Sequence, residues 1–213
     1  MNMDTTQLAA LAAALGWASG LRLYAVVFLT GLAGWLGWVS LPVDLQVLSH
    51  PLMLGASGFM LFMEFFADKI PGLDSLWDLI HTVIRIPAGA ALAAGVFGAD
   101  QGTFAMAAAL LGGTLAATSH IAKSTTRAAV NTSPEPFTNI GLSLAGDAIV
   151  PASLWLSVAH PLVFAVALVV ALIAMVCLTC VLAKFLRQVL GKVSRLLGRR
   201  PDPDSRNPVN GPA

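Results

Sequence analysis

The sequence predicts an all-α membrane protein, a compact polytopic bundle of about six transmembrane helices with broken or re-entrant segments. Three observations lead to this fold class. The 213 residues are 57% hydrophobic and only 11% charged, whereas soluble domains carry about 25% charged residues. The apolar residues occur in runs long enough to cross a bilayer. Between these runs, Lys and Arg are confined to alternate connections, which is typical of a multi-pass protein.

Each predicted span is an apolar run of about 20 residues, the length that a bilayer requires. The limits of the runs follow from helix-breaking or polar residues, such as those at His50-Pro51 and at Pro71-Gly72. The runs cover about residues 17–39, 51–67, 76–98, 103–123, 138–158 and 161–186. Small residues at helix-packing spacing, which indicate close contact between helices, are Gly31, Gly34 and Gly37, then Gly89 and Ala93, then Ala108 and Gly112.

The two ends of the chain differ from the predicted membrane domain, residues 17–197. Residues 1–16 contain an apolar lead that is predicted as a half-helix, either re-entrant or lying on the surface. No Lys or Arg precedes Arg22, so we expect no cleavable signal peptide, which would need a positive start. Residues 198–213 are rich in Pro, Asp and Asn without apolar periodicity, and are predicted to be disordered.

Positive charge lies on one side of the predicted bundle. With both termini in the cytoplasm, the outer connections 40–50, 99–102 and 159–160 contain no Lys or Arg. The inner segments contain Lys69, Arg85, Lys123, Arg127 and the basic C-terminal run. Because Lys and Arg in short loops set orientation, we expect a bacterial inner-membrane protein with cytoplasmic N- and C-termini.

The basic run near the C-terminus predicts a partner. Lys184, Arg187, Lys192 and Arg195 alternate with Leu and Val, which indicates contact with anionic lipids of the inner leaflet. Simple anchoring of the topology explains the same residues equally well. The expected partners are therefore the lipid bilayer, its anionic lipids and a second copy of the chain. Nucleic acid is excluded because the positive charge is not spread over a surface.

Charged residues inside the apolar runs predict the functional site. Arg22 is the only charged residue between Leu8 and Val39, and an Arg at bilayer depth costs about 3 kcal/mol unless it has a function or a partner. With the orientation above, the other ionisable residues fall in the cytoplasmic halves of their spans. The residues predicted to bind a substrate or ion are Arg22, Glu64, Asp68, Lys69, Asp74, Asp78, His81, Arg85, His120, Lys123, Arg127, Asn131 and Asp147.

Helical spacing places these residues on common faces. One stripe, with steps of four, three and four, comprises Asp74, Asp78, His81 and Arg85, and a similar stripe comprises His120, Lys123, Arg127 and Asn131. Acidic residues are therefore predicted to face basic residues across the bundle. The acidic set is Glu64, Asp68, Asp74, Asp78 and Asp147, and the basic set is Arg22, Arg85, Lys123 and Arg127. Because unpaired buried charge is far costlier than paired charge, we expect ion pairs here, with Glu64 as the partner of Arg22.

Structural roles explain many of the same residues. Helix capping accounts for Asp74 and Asp78, and helix-tying ion pairs account for Arg22, Glu64 and Asp147. Topology signals account for Lys69, Lys123 and Arg127, and interfacial hydrogen bonds account for His81 and His120. A metal site of Asp74, Asp78, His81 and His120 is disfavoured, because no His-Glu-x-x-His pattern occurs. No cofactor and no catalytic residue is predicted, since no nucleophile elbow is present.

Two helix breaks adjoin the charged residues and suggest a function. One is Ala18-Ser19-Gly20, and the other is the Asn-Thr-Ser-Pro-Glu-Pro segment at 131–136. Transporters use broken helices to aim backbone dipoles at a solute. The first hypothesis is a small-solute or ion transporter, or a channel-like protein, with a cytoplasm-facing polar site. The alternative is a non-catalytic membrane scaffold or assembly factor whose charges are structural. An intramembrane enzyme ranks third because no catalytic motif is present.

Several of these motifs together resemble a known family. They are Ala18-Ser19-Gly20-Leu21-Arg22, the run 64–74 with its Ala-Asp-Lys-Ile-Pro block, Trp77-Asp78 with His81, and Asn131-x-Ser133-Pro134. Over about residues 8–185 the chain resembles a bacterial integral-membrane family catalogued as domain-of-unknown-function family 4126. Where that pattern tends to have Glu-Asp in the fifth span, this chain has Gly146-Asp147. The resemblance implies a polytopic membrane protein and supplies no activity.

Overall fold

The computed structural model describes residues 3–70, 72–132 and 136–197, and every regular element in these ranges is a helix. Six α-helices, α1 to α6 in chain order, are Thr5–Trp35, Pro51–Ala67, Leu73–Gly95, Gly102–Val130, Pro136–Ala159 and Pro161–Leu197. Two 3-10 helices, Val43–Ser49 and Ala99–Gln101, lie in the connections. The predicted all-α class is confirmed. The tail at 198–213 lies outside the described residues.

Four of the helices are long and apolar enough to cross a membrane, namely α1, α4, α5 and α6. A fifth span results if Val43–Ser49 and α2, which meet at 67°, form one broken span. α3 is less apolar because Asp74, Asp78 and Arg85 interrupt its sequence. The helices indicate a multi-pass membrane protein with four or five spans in the described ranges, and the predicted count of about six is not confirmed.

The distribution of side chains is the reverse of that in a soluble protein. Arg85 and Glu64 are fully buried, whereas Val83, Leu110 and Val166 are 76%, 70% and 67% exposed. Soluble proteins almost never bury charged residues while exposing such a large apolar surface. The outside of this bundle therefore suits lipid, and its inside contains the charges.

α1 occupies the centre of the bundle. It is the most buried of the candidate spans and packs against α3, α4 and α5. A capping box starts it at Thr5, because Asp4 Oδ1 accepts the Gln7 N–H at 2.7 Å while Gln7 Oε1 accepts the Asp4 N–H at 3.0 Å. The N-terminal lead therefore continues without interruption into the first predicted span, as far as Leu21.

The break in α1 lies at Arg22 and not at Ala18-Ser19-Gly20, where the sequence predicts it. Arg22 has φ −148° and ψ 86°, which separates α1 into two helical halves. Gly20 has a packing role instead, because a Cβ at this position would collide with the carbonyl oxygen of Ala116 and with the hydroxyl of Ser119. The glycine thus allows close contact with α4 while the helix continues through it.

Small residues bring α1, α3 and α4 together, as predicted for two of the small-residue pairs. A Cβ on Gly16 would lie 2.5 Å from Gly112 Cα, and a Cβ on Gly112 would lie 2.9 Å from the carbonyl oxygen of Gly89. The Ala93 methyl group also contacts Gly112. Helices in lipid associate through such close backbone packing. It holds the polar faces of α3 and α4 against α1.

Candidate functional site

Among the residues that the structure describes, ten charged side chains form a continuous set of ion pairs inside the bundle, the ion-pair network. The five acids are Glu64, Asp68, Asp74, Asp78 and Asp147, and the five bases are Arg22, Lys69, Arg85, Lys123 and Arg127. The formal charges of these residues cancel. Cancellation is what a low-dielectric interior requires, because an unpaired buried charge costs several kcal/mol, on the order of 3–5.

Asp68, at the C-terminal end of α2, is the centre of the network. Its Oδ2 lies 3.1 Å from Arg22 Nη2, 3.2 Å from Lys123 Nζ and 3.3 Å from Arg127 Nη2. Arg127 Nη1 also donates to the backbone carbonyl of Asp68 at 2.8 Å. One fully buried carboxylate therefore connects α2 to α1 and α4.

Arg85 on α3 is a second centre, and it corrects a predicted pair. Its Nη2 lies 2.6 Å from Glu64 Oε1, and its Nη1 lies 2.6 Å from Asp78 Oδ1. The predicted Arg22–Glu64 pair is wrong. Glu64 and Asp68 are one helical turn apart on the same face of α2. A shift of α2 by one turn along its axis, relative to α1 and α3, would therefore exchange the partners of the two acids. The spacing of residues in the sequence does not determine this shift.

Arg22 pairs with the acid one turn beyond Glu64 and with α5. Its Nη2 lies 3.1 Å from Asp68 Oδ2 and 3.1 Å from Asp147 Oδ1. The same nitrogen donates to the carbonyl and hydroxyl oxygens of Ser143 at 3.1 and 2.9 Å. Lys69 Nζ lies 3.4 Å from Asp147 Oδ2. Arg22 Nη1, by contrast, is buried and has no hydrogen-bond partner, which is rare for a buried donor.

A lysine of α4 compensates the break in α1. Where a helix stops, the carbonyls of its last turn lose their partners. Lys123 Nζ donates to the Leu21 carbonyl at 3.0 Å, directly before the break, and lies 3.1 Å from Asp78 Oδ1. The break and the network are thus one arrangement, since a single ammonium group serves both.

His120 lies within the network and His81 lies beside it. His120 Nε2 is 2.8 Å from Thr82 Oγ1, and Arg85 Nη1 is 3.4 Å from His120 Nδ1. Because the Thr82 hydroxyl donates to the Asp78 carbonyl, we assign Nε2 as the donor and Nδ1 as the acceptor. His81 donates from Nδ1 to the Trp77 carbonyl at 2.8 Å, stacks on the Trp77 ring and makes no ion pair in the described part of the chain.

Asp74 and Asn131 close the network at the ends of α3 and α4. Asp74 Oδ1 accepts the N–H groups of Gly72 and Ser75 at 2.8 and 2.6 Å, which stabilises the start of α3. Its Oδ2 lies 3.1 Å from Arg127 Nη1. Asn131 Nδ2 donates to Asp74 Oδ1 and to Ser75 Oγ, both at 3.0 Å. Asp74 therefore stabilises the start of α3 through Oδ1 and forms an ion pair with Arg127 through Oδ2.

A cavity of about 280 Å³ adjoins the network between α1, α4, α5 and α6, the Arg22 cavity. Its polar wall consists of Arg22, Asp68, Lys123, Thr126 and Arg127. The rest of its lining is apolar, formed by Leu21, Ala122, Leu142, Ala145, Gly146, Ile149, Met175 and Leu178. The accessible surface of the cavity is almost wholly hydrocarbon, because Arg22, Lys123 and Arg127 direct their charged groups to Asp68.

Sequence reasoning missed Ser143, although a signal for it was present. Asn139, Ser143 and Asp147 are spaced by four residues, the stripe that selected the residues on α3 and α4. Asn139 and Ser143 are 0% and 1% exposed. Neither side-chain atom of the Asn139 amide has a hydrogen-bond partner. A neutral polar residue is a weaker signal than a charge, because it is commoner in apolar helices.

Within the described ranges, no group of His, Cys, Asp and Glu side chains is arranged to hold a metal ion.

A family model described as "Domain of unknown function (DUF4126)" matches residues 9–180. The chain belongs to the DUF4126 family. The match includes every member of the ion-pair network and the whole lining of the Arg22 cavity. No curated protein and no solved structure matches this DUF4126 protein.

Proposed function

We propose that this DUF4126 protein is a small-solute or ion transporter, or a channel-like protein, of the bacterial inner membrane. Both termini lie in the cytoplasm, and the polar site opens to that side. The basic residues Lys184 and Arg187, exposed on α6, contact anionic lipids. The observation that supports the proposal is the break of α1 at Arg22, inside the ion-pair network and beside a cavity.

Stability alone does not account for the network. Replacing a buried ion pair with well-packed apolar residues is often neutral or stabilising, by about 1–4 kcal/mol. The break in α1 is a second cost, because the most buried span gives up backbone hydrogen bonds at Arg22. Intramembrane charges and broken helices occur together where a solute or ion binds.

The network has an accessible end from which a solute can enter. The side chains of Lys69 and Asp147 are 20% and 24% accessible, whereas those of Arg22 and Asp68 are 2% and 0% accessible. Arg22 therefore links an accessible carboxylate on α5 to a buried carboxylate on α2. A solute that displaces Asp147 from Arg22 would reach the cavity without breaking the inner pairs.

A paired neutralisation tests the proposal against the scaffold alternative, which the cancellation of charge favours. Arg22→Gln and Asp147→Asn are made singly and together, purified, and reconstituted in liposomes for flux of ions and small organic acids. We expect Arg22→Gln to fold poorly, because Asp68 and Asp147 lose a shared cation. The double variant should recover part of the folding, because four acids then face four bases and Asp68 keeps Lys123 and Arg127, but not flux, because the solute-binding guanidinium is absent.

The control is Arg187→Gln, which removes an exposed charge outside the network and should leave flux unchanged. Recovery of both folding and full flux in the double variant would mean that the pair is only structural. Absence of flux for every ion and solute with the unmodified protein would contradict the transporter proposal itself.

A further inference from the structure

We infer that a second cavity, beyond the ion-pair network toward the C-terminal end of α5, holds one acyl chain of a membrane lipid. The ester carbonyl of that chain accepts a hydrogen bond from the hydroxyl group of Thr30. Retention of such a lipid goes beyond the proposed function and does not depend on transport.

The second cavity, the Trp155 cavity, lies between α1, the connection that follows α1, and α5. Its volume is about 500 Å³, which corresponds to about 17 non-hydrogen atoms if each occupies the ~30 Å³ of a liquid water. A palmitoyl group has about this number of non-hydrogen atoms. Most of the lining is hydrocarbon, contributed by Leu29, Val39, Leu41, Pro151, Leu154 and Val158.

Two tryptophans mark the mouth of the Trp155 cavity. Trp38 and Trp155 both line it and are 75% and 63% exposed. Pro151 and Ala159, which also line it, are exposed on α5. Trp side chains of membrane proteins lie where the headgroups meet the hydrocarbon. The mouth therefore lies at the depth where acyl chains begin. Because an apolar cavity does not hold water, a lipid chain is the group at this depth that fills it.

Thr30 contributes the one side-chain hydroxyl group among the described lining residues, and this group is unpaired. The hydroxyls of Thr114 and Thr118 donate to carbonyls one turn earlier, whereas that of Thr30 has no hydrogen-bond partner in the described part of the chain. Its oxygen is accessible, unlike the enclosed amide atoms of Asn139, although Thr30 as a whole is only 6% exposed. Since Thr30 lines the Trp155 cavity, this accessible oxygen faces the cavity.

The depth of Thr30 matches the ester group of a lipid. Thr30 precedes the exposed Trp35 at the end of α1 by five residues, which is about 7.5 Å along a helix. The interfacial region of one leaflet is about 5–8 Å thick, so Thr30 lies where the ester joins the hydrocarbon. An ester carbonyl only accepts hydrogen bonds, and a free hydroxyl can donate one. Thr30 therefore distinguishes an ester-linked chain from an ether-linked chain of the same length.

Photocrosslinking of the full-length protein in nanodiscs tests this assignment. A trace of ester-linked phosphatidylcholine with a diazirine in its palmitoyl chain is added to nanodiscs of ester-linked or ether-linked phosphatidylcholine, and mass spectrometry locates the adducts. The probe has an advantage only over the ether lipid. Adducts at Leu154 and Val158 should therefore be about two- to tenfold more abundant in ether nanodiscs, the range for one hydrogen bond. Adducts at Val166, on the exposed face of α6, should be equally abundant in both.

Thr30→Val removes the hydroxyl and keeps the shape of the side chain. In this variant the adducts at Leu154 and Val158 should be equally abundant in the two kinds of nanodisc. Thr114→Val is the matched control, because it removes an exposed hydroxyl that already donates to the Leu110 carbonyl, and it should keep the difference. Equal yields with the unmodified protein, or a difference that persists in Thr30→Val, would overturn the pairing of Thr30 with an ester.

Ala33→Trp tests the cavity itself, because Ala33 lines it and the larger side chain fills it. Adducts at Leu154 and Val158 should fall at least about fivefold, since a filled cavity excludes the chain. Ala107→Trp adds the same side chain to an exposed position of α4 outside the cavity and should change these yields by less than about twofold.

If Ala33→Trp does not fold, Ala159→Trp narrows the mouth of the cavity and should lower the same adducts. Yields that neither variant changes would contradict the assignment. Absence of adducts at Leu154 and Val158 in the unmodified protein would overturn it outright, and is the result expected if a second copy of the chain covers the mouth instead.

Discussion

Replacing Asp68 with Asn removes a carboxylate that touches three cations of the ion-pair network. The side chain is fully buried, and its Oδ2 lies 3.1 to 3.3 Å from Arg22, Lys123 and Arg127. After the substitution, five bases face four acids. The amide that replaces the carboxylate still accepts hydrogen bonds, but it cannot neutralise the extra positive charge.

The expected loss follows from the burial. Removing one partner of a buried ion pair typically costs about 3–5 kcal/mol, because the other charge is left uncompensated. Asp68 serves three cations from two helices, so we expect a loss of about 4 kcal/mol in the free energy of unfolding. Asp147→Asn is the matched control. Its side chain is 24% accessible, so water replaces part of the lost interaction, and the expected loss is about 1–2 kcal/mol.

The assay is reversible unfolding in mixed micelles with increasing SDS, followed by tryptophan fluorescence. A second substitution, Lys123→Gln, restores the balance to four acids and four bases and keeps a donor for the Leu21 carbonyl. We expect the Asp68→Asn and Lys123→Gln variants to show a coupling energy of about 1–3 kcal/mol. If Asp68→Asn costs no more than Asp147→Asn, or if the two losses simply add, the network is not an electrostatic unit.

The same unfolding assay tests the packing and the edge of the network. Gly20→Ala should lose about 1–3 kcal/mol, because its Cβ would collide with atoms of α4. Gly55→Ala meets nothing within 4 Å and should be neutral or gain up to about 1 kcal/mol, and equal effects would contradict the predicted contact. Asn131→Ala should cost about 1–2 kcal/mol, since Asp74 and Ser75 lose a shared donor; no loss would mean that water replaces the amide. A periplasm-dependent reporter fused to the C-terminus should be inactive and a cytoplasmic reporter active, and the opposite pattern would contradict the proposed orientation.

The membership of the network was predictable because it follows from transfer energies. A charge in an apolar run is too costly to leave unpaired, so each such residue had to find a partner. The sequence also places Asp78 and Arg85 on the same face of one helix, because residues seven positions apart are separated by about two turns. An interaction between these two residues was therefore predictable. These inferences use only the sequence and the geometry of a single helix.

The pairing between helices was not predictable in the same way. Glu64 and Asp68 lie on one face of α2, and either one suits Arg22 by charge. The choice of Asp68 depends on the position of α2 along the axis of α1, which the packing between helices sets and the spacing within one helix does not. An error of one turn, about 5.4 Å, is enough to exchange Glu64 for Asp68.

By itself, the sequence determined that this DUF4126 protein is an all-helical membrane protein with a charged interior, because hydropathy and charge act residue by residue. Only the tertiary structure decided where α1 breaks, which acid each base contacts, and that Arg22 Nη1 is buried without a hydrogen-bond partner. Those features depend on the distances between helices. Such distances result from the packing of many small residues together, which no single residue specifies.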